Sequence, residues 1–362
     1  MASLKTAVIG ATGVVGQQFL VALSRHPWFT VEGLVASERS AGKPYRDALR
    51  DATGAGRWHV AEPPPAEFLD LPVVAVDDFD PERFDLIFSA VESDLAKELE
   101  PRYGAVRPVV TTSSAYRYFD DVPLVIPGVN NDHTRLIRRQ QAERGWKGFV
   151  VPLPNCTTTG LAITLKPLLD RFGIRMVLMT SMQAMSGAGR SPGVIGLDIL
   201  DNVIPYIPKE EEKVQRETQK ILGSLGDDAI TPAPFAVSST CTRVNVLDGH
   251  TESVFVSLES PATLDEVKAS LREYDGGLGG MRLPTAPPEL IQVHDDPFRP
   301  QPRLDRDANN GMTTVVGRLR EDNALENGVK YVLVSHNTKM GAARGAVLTA
   351  ELLRCQGLFG SQ

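Results

Sequence analysis

Residues 154–160, PNCTTTG, carry a cysteine where a thiol could do chemistry. Cys156 follows Asn155 and precedes an apolar stretch, LAITLKPLL, so Thr157 to Leu169 predict a helix. A thiol near the start of a helix lies at the positive end of the helix dipole, which lowers its pKa and favours the nucleophilic thiolate. Free cysteines at helix starts are also often inert, so this segment alone leaves both chemistry and packing open.

Two later segments carry groups that suit a carbonyl reaction. Residues 183–189, QAMSGAG, follow an apolar run, and their small residues suit close contact with a ligand; Gln183 could also merely cap a strand. Residues 243–250, RVNVLDGH, end in a Gly-His turn. Because a histidine titrates near neutral pH, His250 could move the protons that such a reaction needs.

A glycine-rich turn near the N-terminus suits a nucleotide phosphate. Gly10, Gly13 and Gly16 lie between a predicted strand, KTAVIG, and a predicted helix. Glycines let the backbone approach a pyrophosphate, and the helix N-terminus offers free N–H groups. The G-x-x-G-x-x-G spacing is weak alone, and a plain turn of an α/β domain is the alternative, but the strand–turn–helix context favours a cofactor site. The candidate contacts are Gly10, Thr12, Gly13, Val14, Val15 and Gly16.

The end of the second predicted strand indicates which dinucleotide binds. Enzymes that use NAD carry an acidic residue there, whereas those that use NADP favour arginine and hydroxyl groups around the 2′-phosphate. Ser37, Arg39, Ser40 and Lys43 gather two hydroxyls and two cations at this position. Glu38 is a contrary feature, although neighbouring residues of an extended segment can point apart. The pattern predicts NADP, with surface charge that binds nothing as the alternative.

Composition excludes several classes of protein. The chain has 362 residues, 42% of them hydrophobic and 23% charged, as in soluble globular proteins. Its net charge of −7 argues against binding nucleic acid or an anionic membrane, so an anionic ligand needs a local cluster of basic groups. Three scattered cysteines predict no disulfide framework, and six histidines without zinc-site spacing predict no metal. Without a signal-peptide pattern or a long apolar run, we expect a cytoplasmic enzyme.

The secondary-structure pattern predicts two α/β units. Strands alternate with helices in the first part, which predicts a Rossmann-type, doubly wound dinucleotide-binding domain, and Ser89 near the end of one strand is a candidate cofactor contact. From residue 156 the hydrophobic pattern changes and predicts an α+β catalytic and dimerisation domain. We expect the last helix, 337–355, to pack against the first unit. We predict domains at 1–155 plus 337–362 and at 156–336. The predicted strands are 5–10, 31–37, 84–91, 108–115, 175–185, 242–248 and 252–260, and the later helices 209–222 and 337–355.

Taken in order, the motifs resemble the aspartate-β-semialdehyde dehydrogenase family over nearly the whole chain. They are GATGVVG, NCTTTG, QAMSGAG, Glu-x-x-Lys at Glu210 and Lys213, and Arg-x6-His at Arg243. Cys156 and Gln183 are 27 residues apart, a spacing that is similar to that of the family. VPLVIPGVN and ASERSAGK are similar to the archaeal and fungal branch, which includes archaeal malonyl-CoA reductases.

The resemblance implies a reaction and a role for each matched residue. The reaction is NADPH-dependent reduction of β-aspartyl phosphate to aspartate β-semialdehyde, a step towards lysine, threonine and methionine. The resemblance makes Cys156 the nucleophile of an acyl-enzyme, Gln183 its orienting residue, His250 the acid–base catalyst and Asn155 a positioning residue. It assigns the substrate carboxylate to Arg243, the ammonium to Glu210, the phosphate to Lys213 and Arg117, and cofactor contacts to Ser186, Gly187, Asn337 and Thr338.

Several alternatives remain open from the residues themselves. Glu210 lies in KEEEK, a run typical of a solvated helix face, and Arg117 could simply stack on its neighbouring tyrosines. Malonyl-CoA reductase shares the thiol and the cofactor, although Glu210 and Arg243 favour an amino-acid substrate. N-acetyl-γ-glutamyl-phosphate reductase fits the motifs less well, and a non-catalytic NADP-binding regulator would need no thiol. The resemblance also implies a homodimer or homotetramer.

Overall fold

The first sheet is built from six parallel strands. The computed structural model describes residues 3–188 and 195–359. Short apolar runs that are buried along their length, such as LIFS and FVVP, form the strands, as expected for a parallel sheet covered on both faces. Their bounds are Leu4–Ile9 (β1), Phe29–Ala36 (β2), Val73–Ala75 (β3), Leu86–Ser89 (β4), Pro108–Thr111 (β5) and Phe149–Pro152 (β6).

The strand order β3-β2-β1-β4-β5-β6 confirms the predicted doubly wound dinucleotide-binding fold. The order reverses between β1 and β4, and ligands of such sheets bind beyond the carboxyl ends of the strands at this reversal. β4 and β5 are shorter than predicted, so the small polar residues that follow them are free to face a ligand.

The second sheet is mixed, with parallel and antiparallel strand pairs. Its strands, and a small two-stranded sheet of β8 and β9, have the bounds Ile174–Gln183 (β7), Ser224–Leu225 (β8), Ile230–Thr231 (β9), Ala236–Arg243 (β10), His250–Leu258 (β11), Ile291–Val293 (β12), Thr314–Asp322 (β13) and Gly328–Ser335 (β14). The strand order is β10-β7-β11-β14-β13-β12. The helices Cys156–Phe172 and Leu264–Arg272 pack against this sheet, and the strand side chains alternate between buried and part-exposed positions.

The helices cover the sheets and connect their strands. Across residues 3–188 and 195–359, none has the length and apolar character needed to cross a bilayer. The α-helices are Val14–Leu23 (α1), Tyr45–Ala48 (α2), Ser93–Gly104 (α3), Leu136–Arg144 (α4), Cys156–Phe172 (α5), Ile195–Ile199 (α6), Glu210–Ile221 (α7), Leu264–Arg272 (α8), Pro302–Asp305 (α9) and Arg344–Cys355 (α10). Short 3₁₀ helices span Ala66–Phe68, Pro81–Arg83, Asn131–Arg135, Met185–Ala188 and Ala308–Gly311, and a π-helical turn spans Lys339–Ala343.

One predicted strand is wrong and the last predicted helix starts later than expected. The alternating residues of 242–248 suggest a strand, but β10 ends at Arg243, because the following chain turns towards Gly249, whose φ is +91°. Asn337 and Thr338 precede the last helical segment, and α10 packs against α1 of the first sheet. The exact domain boundaries stay a prediction.

Candidate active site

A cavity of about 520 Å³, here called the central cavity, lies where the two sheets meet. The segments that follow β4, β5 and β6 contribute one wall, and residues at the ends of β7, β10 and β14 contribute another. Its lining includes Val14, Val15, Ser93, Thr112, Ser113, Ser114, Arg117, Asn155, Cys156, Ser186, Gly187, Glu210, Lys213, Arg243, Asn337, Thr338 and Gly341.

Cys156 is the first residue of α5, as the sequence predicts. Asn155 caps this helix: its Oδ1 accepts hydrogen bonds from the backbone N–H groups of Thr157 (2.9 Å) and Thr158 (3.2 Å). A Cβ at Gly341 would lie 2.8 Å from Cβ of Cys156, so a glycine is needed where the π-helical turn approaches the thiol. The thiol is therefore fixed between a capped helix start and a backbone wall.

His250, the first residue of β11, lies beside the thiol. Its Nε2 is 3.2 Å from Sγ of Cys156, and its Nδ1 accepts a hydrogen bond from the backbone N–H of Ala184 (3.1 Å). In the neutral ring the proton then resides on Nε2, which donates towards the sulfur. A Cβ at Gly187 would lie 3.0 Å from Cε1 of His250 and 2.9 Å from Nη1 of Arg243, which explains the glycine there.

The electrostatics of this pair differ from the sequence expectation of a thiolate. Burial raises the pKa of the Cys156 thiol to about 12, with Glu210 acting in the same direction and Arg117 and Arg243 opposing it. Burial, followed by the charge of Arg243, lowers the pKa of His250 to about 3. The helix start is thus outweighed, and the pair rests as neutral thiol and neutral imidazole.

Glu210 is buried, so the interpretation of KEEEK as an entirely solvated face is wrong at this position. Its Oε1 accepts hydrogen bonds from Nδ2 of Asn155 (2.7 Å) and Nε2 of Gln183 (3.2 Å), and its Oε2 is 3.5 Å from Nζ of Lys213. The neighbouring Glu212 is exposed, as a solvated face requires. The carboxylate is thus aimed at the cavity by two amides and a lysine.

Two predicted site residues meet the cavity differently. Arg243 lines the cavity and donates from Nη1 to the carbonyl of Ala184 (2.8 Å), which fixes its guanidinium. Gln183 is only 1% exposed and lies behind Glu210 instead of among the lining residues, and its Nε2 also donates to Oγ of Ser181 (3.2 Å). Its role in orienting an acyl group stays a prediction.

Arg117 faces the cavity from the loop after β5. Nη1 donates to Oε1 of Glu217 (3.1 Å) and Nη2 to the carbonyl of Thr112 (3.1 Å). Sequence reasoning missed Glu217, although its spacing of seven residues from Glu210 places both on one face of α7. Arg117 and Lys213 give the cavity two cations for an anionic group.

The glycine turn has the shape of a phosphate site. Gly10 has a φ of +81°, and a Cβ there would lie 2.7 Å from the carbonyl oxygen of Ala90; at Gly16 it would lie 2.1 Å from that of Gly10. Gly13 is exposed, and a Cβ there would have only the carbonyl oxygen of Gly10 within 4 Å, at 3.4 Å. The first helical hydrogen bond of α1 runs from the N–H of Gln17 to the carbonyl of Gly13 (2.9 Å). The N–H groups of residues 14–16 therefore have no carbonyl partner within the helix.

The candidate 2′-phosphate residues lie beside this turn. The carbonyl of Val35 in β2 accepts hydrogen bonds from the N–H groups of Gly10 (2.8 Å) and Ala11, which brings the end of β2 to the glycines. Ser37 and Arg39 are exposed, whereas Ser40 is buried and its N–H donates to the carbonyl of Ser37 (2.8 Å). Thr12 is part-exposed within the same turn.

The remaining cofactor candidates divide into two groups. Ser186, Gly187, Asn337 and Thr338 line the cavity, and Nδ2 of Asn337 donates to Oγ of Ser186 (2.8 Å). Ser89 is buried outside the lining, and its hydroxyl donates to Glu100 (3.1 Å). Gly189 of the QAMSGAG motif lies outside the described residues. Sequence reasoning missed Ser93, Thr112, Ser113 and Ser114, which the polar ends of β4 and β5 could have indicated.

Comparison with known proteins gives the family. The chain matches the model "Semialdehyde dehydrogenase, NAD binding domain" over residues 5–137 and "Semialdehyde dehydrogenase, dimerisation domain" over residues 165–340. It is 47% identical over 349 residues to the aspartate-semialdehyde dehydrogenase of Archaeoglobus fulgidus, covering 96% of each chain. It is 42% identical over 378 residues to that of Candida albicans, covering 99% of this chain and all of the relative.

Two solved structures show the same similarity in three dimensions. Aspartate semialdehyde dehydrogenase with NADP from Candida albicans has a TM-score of 0.86 and 39% identity, covering 99% of this chain and 100% of that chain. Aspartate semialdehyde dehydrogenase II complexed with ASA from Vibrio cholerae has a TM-score of 0.77 and 27% identity, covering 98% and 99%.

Proposed function

Since this chain belongs to the semialdehyde dehydrogenase family, we propose that it reduces β-aspartyl phosphate to aspartate β-semialdehyde with NADPH. The observation that carries the proposal is the 3.2 Å contact between Sγ of Cys156 and Nε2 of His250. Cys156 lines a cavity that also contains Arg117, Lys213 and Arg243, and His250 is buried beside the thiol. A nucleophile, a hydrogen-bond donor beside it and cations for two anionic groups are the parts that reduction of an acyl phosphate needs.

The residues of the glycine turn fit NADP. Gly13 leaves room at the start of α1, where N–H groups without helical partners suit a diphosphate. Ser37 and Arg39, exposed beside that turn, suit a 2′-phosphate. When bound, NADPH supplies the hydride that turns a thioester into an aldehyde. A structural relative has been solved with NADP, which supports the same cofactor here.

In the first half of the reaction, Sγ of Cys156 attacks the acyl carbon of β-aspartyl phosphate. A carbon–sulfur bond forms, the bond from carbon to the phosphate oxygen breaks, and the thiol proton leaves with the phosphate, so that a thioester and hydrogen phosphate result. Arg117 and Lys213 stabilise the negative charge of the departing phosphate. The guanidinium of Arg117 need not move, because it is already held by Glu217 and Thr112.

In the second half, the thioester is reduced and the aldehyde leaves. Nε2–H of His250 donates a hydrogen bond to the oxygen that gains negative charge when the thioester is reduced. When the carbon–sulfur bond breaks, the sulfur leaves as a thiolate, which takes up the one proton that the overall reaction consumes. The hydrogen bond from Ala184 to Nδ1 supports this role, because it keeps the proton on the nitrogen that faces Cys156.

Glu210 couples substrate binding to activation of the thiol. Its carboxylate raises the pKa of Cys156, so an ammonium group that pairs with Glu210 removes part of that effect. Arg243, fixed by the carbonyl of Ala184, is suited to the α-carboxylate of the same substrate. The substrate therefore helps to ionise the sulfur that attacks it.

The rival functions receive less support. The curated relatives named here are aspartate-semialdehyde dehydrogenases, which does not favour malonyl-CoA reductase. A non-catalytic NADP-binding regulator has no use for a thiol beside a histidine. Buried Glu210, aimed at the cavity beside Lys213, also fits an amino-acid substrate better than a CoA thioester.

The assembly we propose is a homodimer through the outer face of the second sheet. The match to a dimerisation domain covers this sheet. Leu178 of β7 lies opposite Phe255 of β11, and with Met182 and Val332 they form a part-exposed apolar surface. Pairing such faces between two copies removes apolar area from water. Sedimentation analysis measures whether dimers or tetramers form.

A substrate panel tests the function. The semialdehyde with phosphate is assayed with NADP⁺ and with NAD⁺. Malonyl-CoA and N-acetyl-γ-glutamyl phosphate are each assayed with NADPH and with NADH. We expect turnover of the semialdehyde with NADP⁺ and dependence on phosphate. Turnover of malonyl-CoA alone, or of none of the three, contradicts the proposal.

A further inference from the structure

We infer that Glu217 is a positioning residue that holds Arg117 and the backbone next to the thiol in one fixed relation. The inference rests on the proposed function, in which Arg117 receives phosphate while Cys156 attacks. Glu217 is not among the residues that line the central cavity, so it acts through the groups that it binds.

The side chain of Glu217 is fully buried and accepts hydrogen bonds from three donors. Oε1 accepts from Nη1 of Arg117 (3.1 Å) and from the hydroxyl of Tyr118 (2.9 Å). Oε2 accepts from the backbone N–H of Asn155 (2.6 Å), the residue before Cys156. One carboxylate from α7 therefore joins the loop after β5 to the segment after β6.

The chemistry of these contacts requires a carboxylate. Both oxygens of an ionised glutamate only accept, so three donors can be satisfied at once. A glutamine has a single acceptor oxygen and would present its NH₂ group either to Asn155 N–H or to Arg117 and Tyr118. On one side of the glutamine, its NH₂ group would then face another hydrogen-bond donor. Because the side chain is buried, these unsatisfied donors would be costly.

A second residue of α7 supports the same loop. Nζ of Lys220 donates to the backbone carbonyls of Arg117 (2.9 Å), Phe119 (2.8 Å) and Val122 (2.9 Å). Lys220 is three residues after Glu217 and lies on the same helical face. Loop 117–122 is therefore tied to α7 through both side chain and backbone.

The same face of α7 also holds the thiol segment at two points. Glu217 binds the backbone N–H of Asn155, and Glu210, seven residues earlier, binds its side chain at 2.7 Å. Asn155 in turn caps the helix that begins with Cys156. Since attack and phosphate departure must be aligned, a small shift between the two segments is expected to reduce the rate and the affinity for phosphate.

Glu217→Gln tests the inference, with exposed Glu212→Gln on the same helix as the matched control. In the reverse assay, we expect the KM for inorganic phosphate to rise about tenfold in Glu217→Gln, while the KM for NADP⁺ changes less than about twofold. Glu212→Gln should match the unmodified protein in both values. An unchanged phosphate KM in folded Glu217→Gln overturns the inference.

A double-mutant cycle separates positioning from general damage. If Glu217 acts through Arg117, its substitution should raise the phosphate KM by less than about threefold in an Arg117→Lys background, because the oriented guanidinium is already lost. If the Glu217 substitution raised the phosphate KM by the same factor in both backgrounds, Glu217 would not act through Arg117. Should Glu217→Gln not fold, Lys220→Gln releases the same loop, and an unchanged phosphate KM there has the same meaning.

A measurement without substrate keeps the inference distinct from the proposed function. The rate of alkylation of Cys156 by iodoacetamide, followed by mass spectrometry of its peptide, reports the thiol environment directly. We expect Glu217→Gln to change this rate by about threefold or more and Glu212→Gln to leave it unchanged. Absence of semialdehyde turnover in every form would reject the function, whereas equal alkylation rates would reject the positioning role.

Discussion

The backbone N–H of Ala184 lies 3.1 Å from Nδ1 of His250, on the side of the ring that faces away from Cys156. This contact selects the neutral ring with its proton on Nε2, and it disfavours the imidazolium, whose Nδ1–H would face another donor. The 3.2 Å contact with Cys156 is therefore a hydrogen bond donated to sulfur instead of a preformed ion pair.

The pH dependence of thiol reactivity should reveal this arrangement. Because burial raises the pKa of Cys156 to about 12 and lowers that of His250 to about 3, the thiolate fraction should rise steadily with pH between 6 and 10. Iodoacetamide alkylation of Cys156 should therefore increase about tenfold per pH unit without an inflection near 6.5. A plateau beginning near neutral pH would indicate a thiolate–imidazolium pair.

Replacing the nucleophile should separate chemistry from cofactor binding. Cys156→Ala should lose measurable turnover, because Cys156 is the only thiol among the described residues that line the cavity, but should retain NADPH binding by fluorescence titration. Exposed Cys355→Ser is the control and should keep full turnover. Retained turnover in Cys156→Ala would remove the thiol from the mechanism.

Sequence predicted the parts of the site that depend on local pattern. Four strands of the first sheet (β1, β2, β4 and β5), the glycine turn and the position of Cys156 at a helix start follow from apolar runs, turn residues and a capping asparagine, whereas β3 and β6 were not predicted. The partners that set the charge of the thiol could not be predicted, since burial and the approach of Glu210 arise from tertiary packing. The same holds for Ser89. Its position at the end of a strand is visible in the sequence, but the hydrogen bond that its hydroxyl donates to Glu100 is not.

Cofactor preference should depend on Arg39. Arg39→Glu places a negative charge where the 2′-phosphate is expected, so NADPH affinity should fall about tenfold or more while NADH affinity changes little. Arg83→Glu, exposed in the segment before β4, makes the same charge change at the opposite end of the sheet and is the control. Equal losses for both cofactors would contradict the assignment of the 2′-phosphate site.

Glu210→Gln should make the thiol more reactive and the enzyme less effective. The carboxylate raises the pKa of Cys156, so its removal lowers that pKa and should accelerate alkylation at pH 8 by about threefold or more. The KM for the semialdehyde should rise, because its ammonium loses a partner. Glu212→Gln should do neither, and slower alkylation in Glu210→Gln would reverse the proposed coupling.

Glu100 should make stability depend on pH near neutrality. Burial raises its pKa from 4.5 to about 7, against the hydrogen bonds from Thr111 and Ser89, so the folded state holds this proton more tightly than the unfolded state. Below pH 4.5, Glu100 is protonated in both the folded and the unfolded state, so its ionisation does not lower the free energy of unfolding. The free energy of unfolding then falls as pH rises towards 7, by roughly 3 kcal/mol in total, and stays lower above it.

Glu100→Gln removes this ionisation and keeps an oxygen that can accept from both hydroxyls. Its unfolding free energy, from urea titrations, should exceed that of the unmodified protein at pH 8, and the advantage should shrink steadily towards pH 5. Exposed Glu98→Gln on the same helix should follow the unmodified protein at every pH. Parallel curves for Glu100→Gln and the unmodified protein would mean that Glu100 is already ionised in the folded state at pH 5.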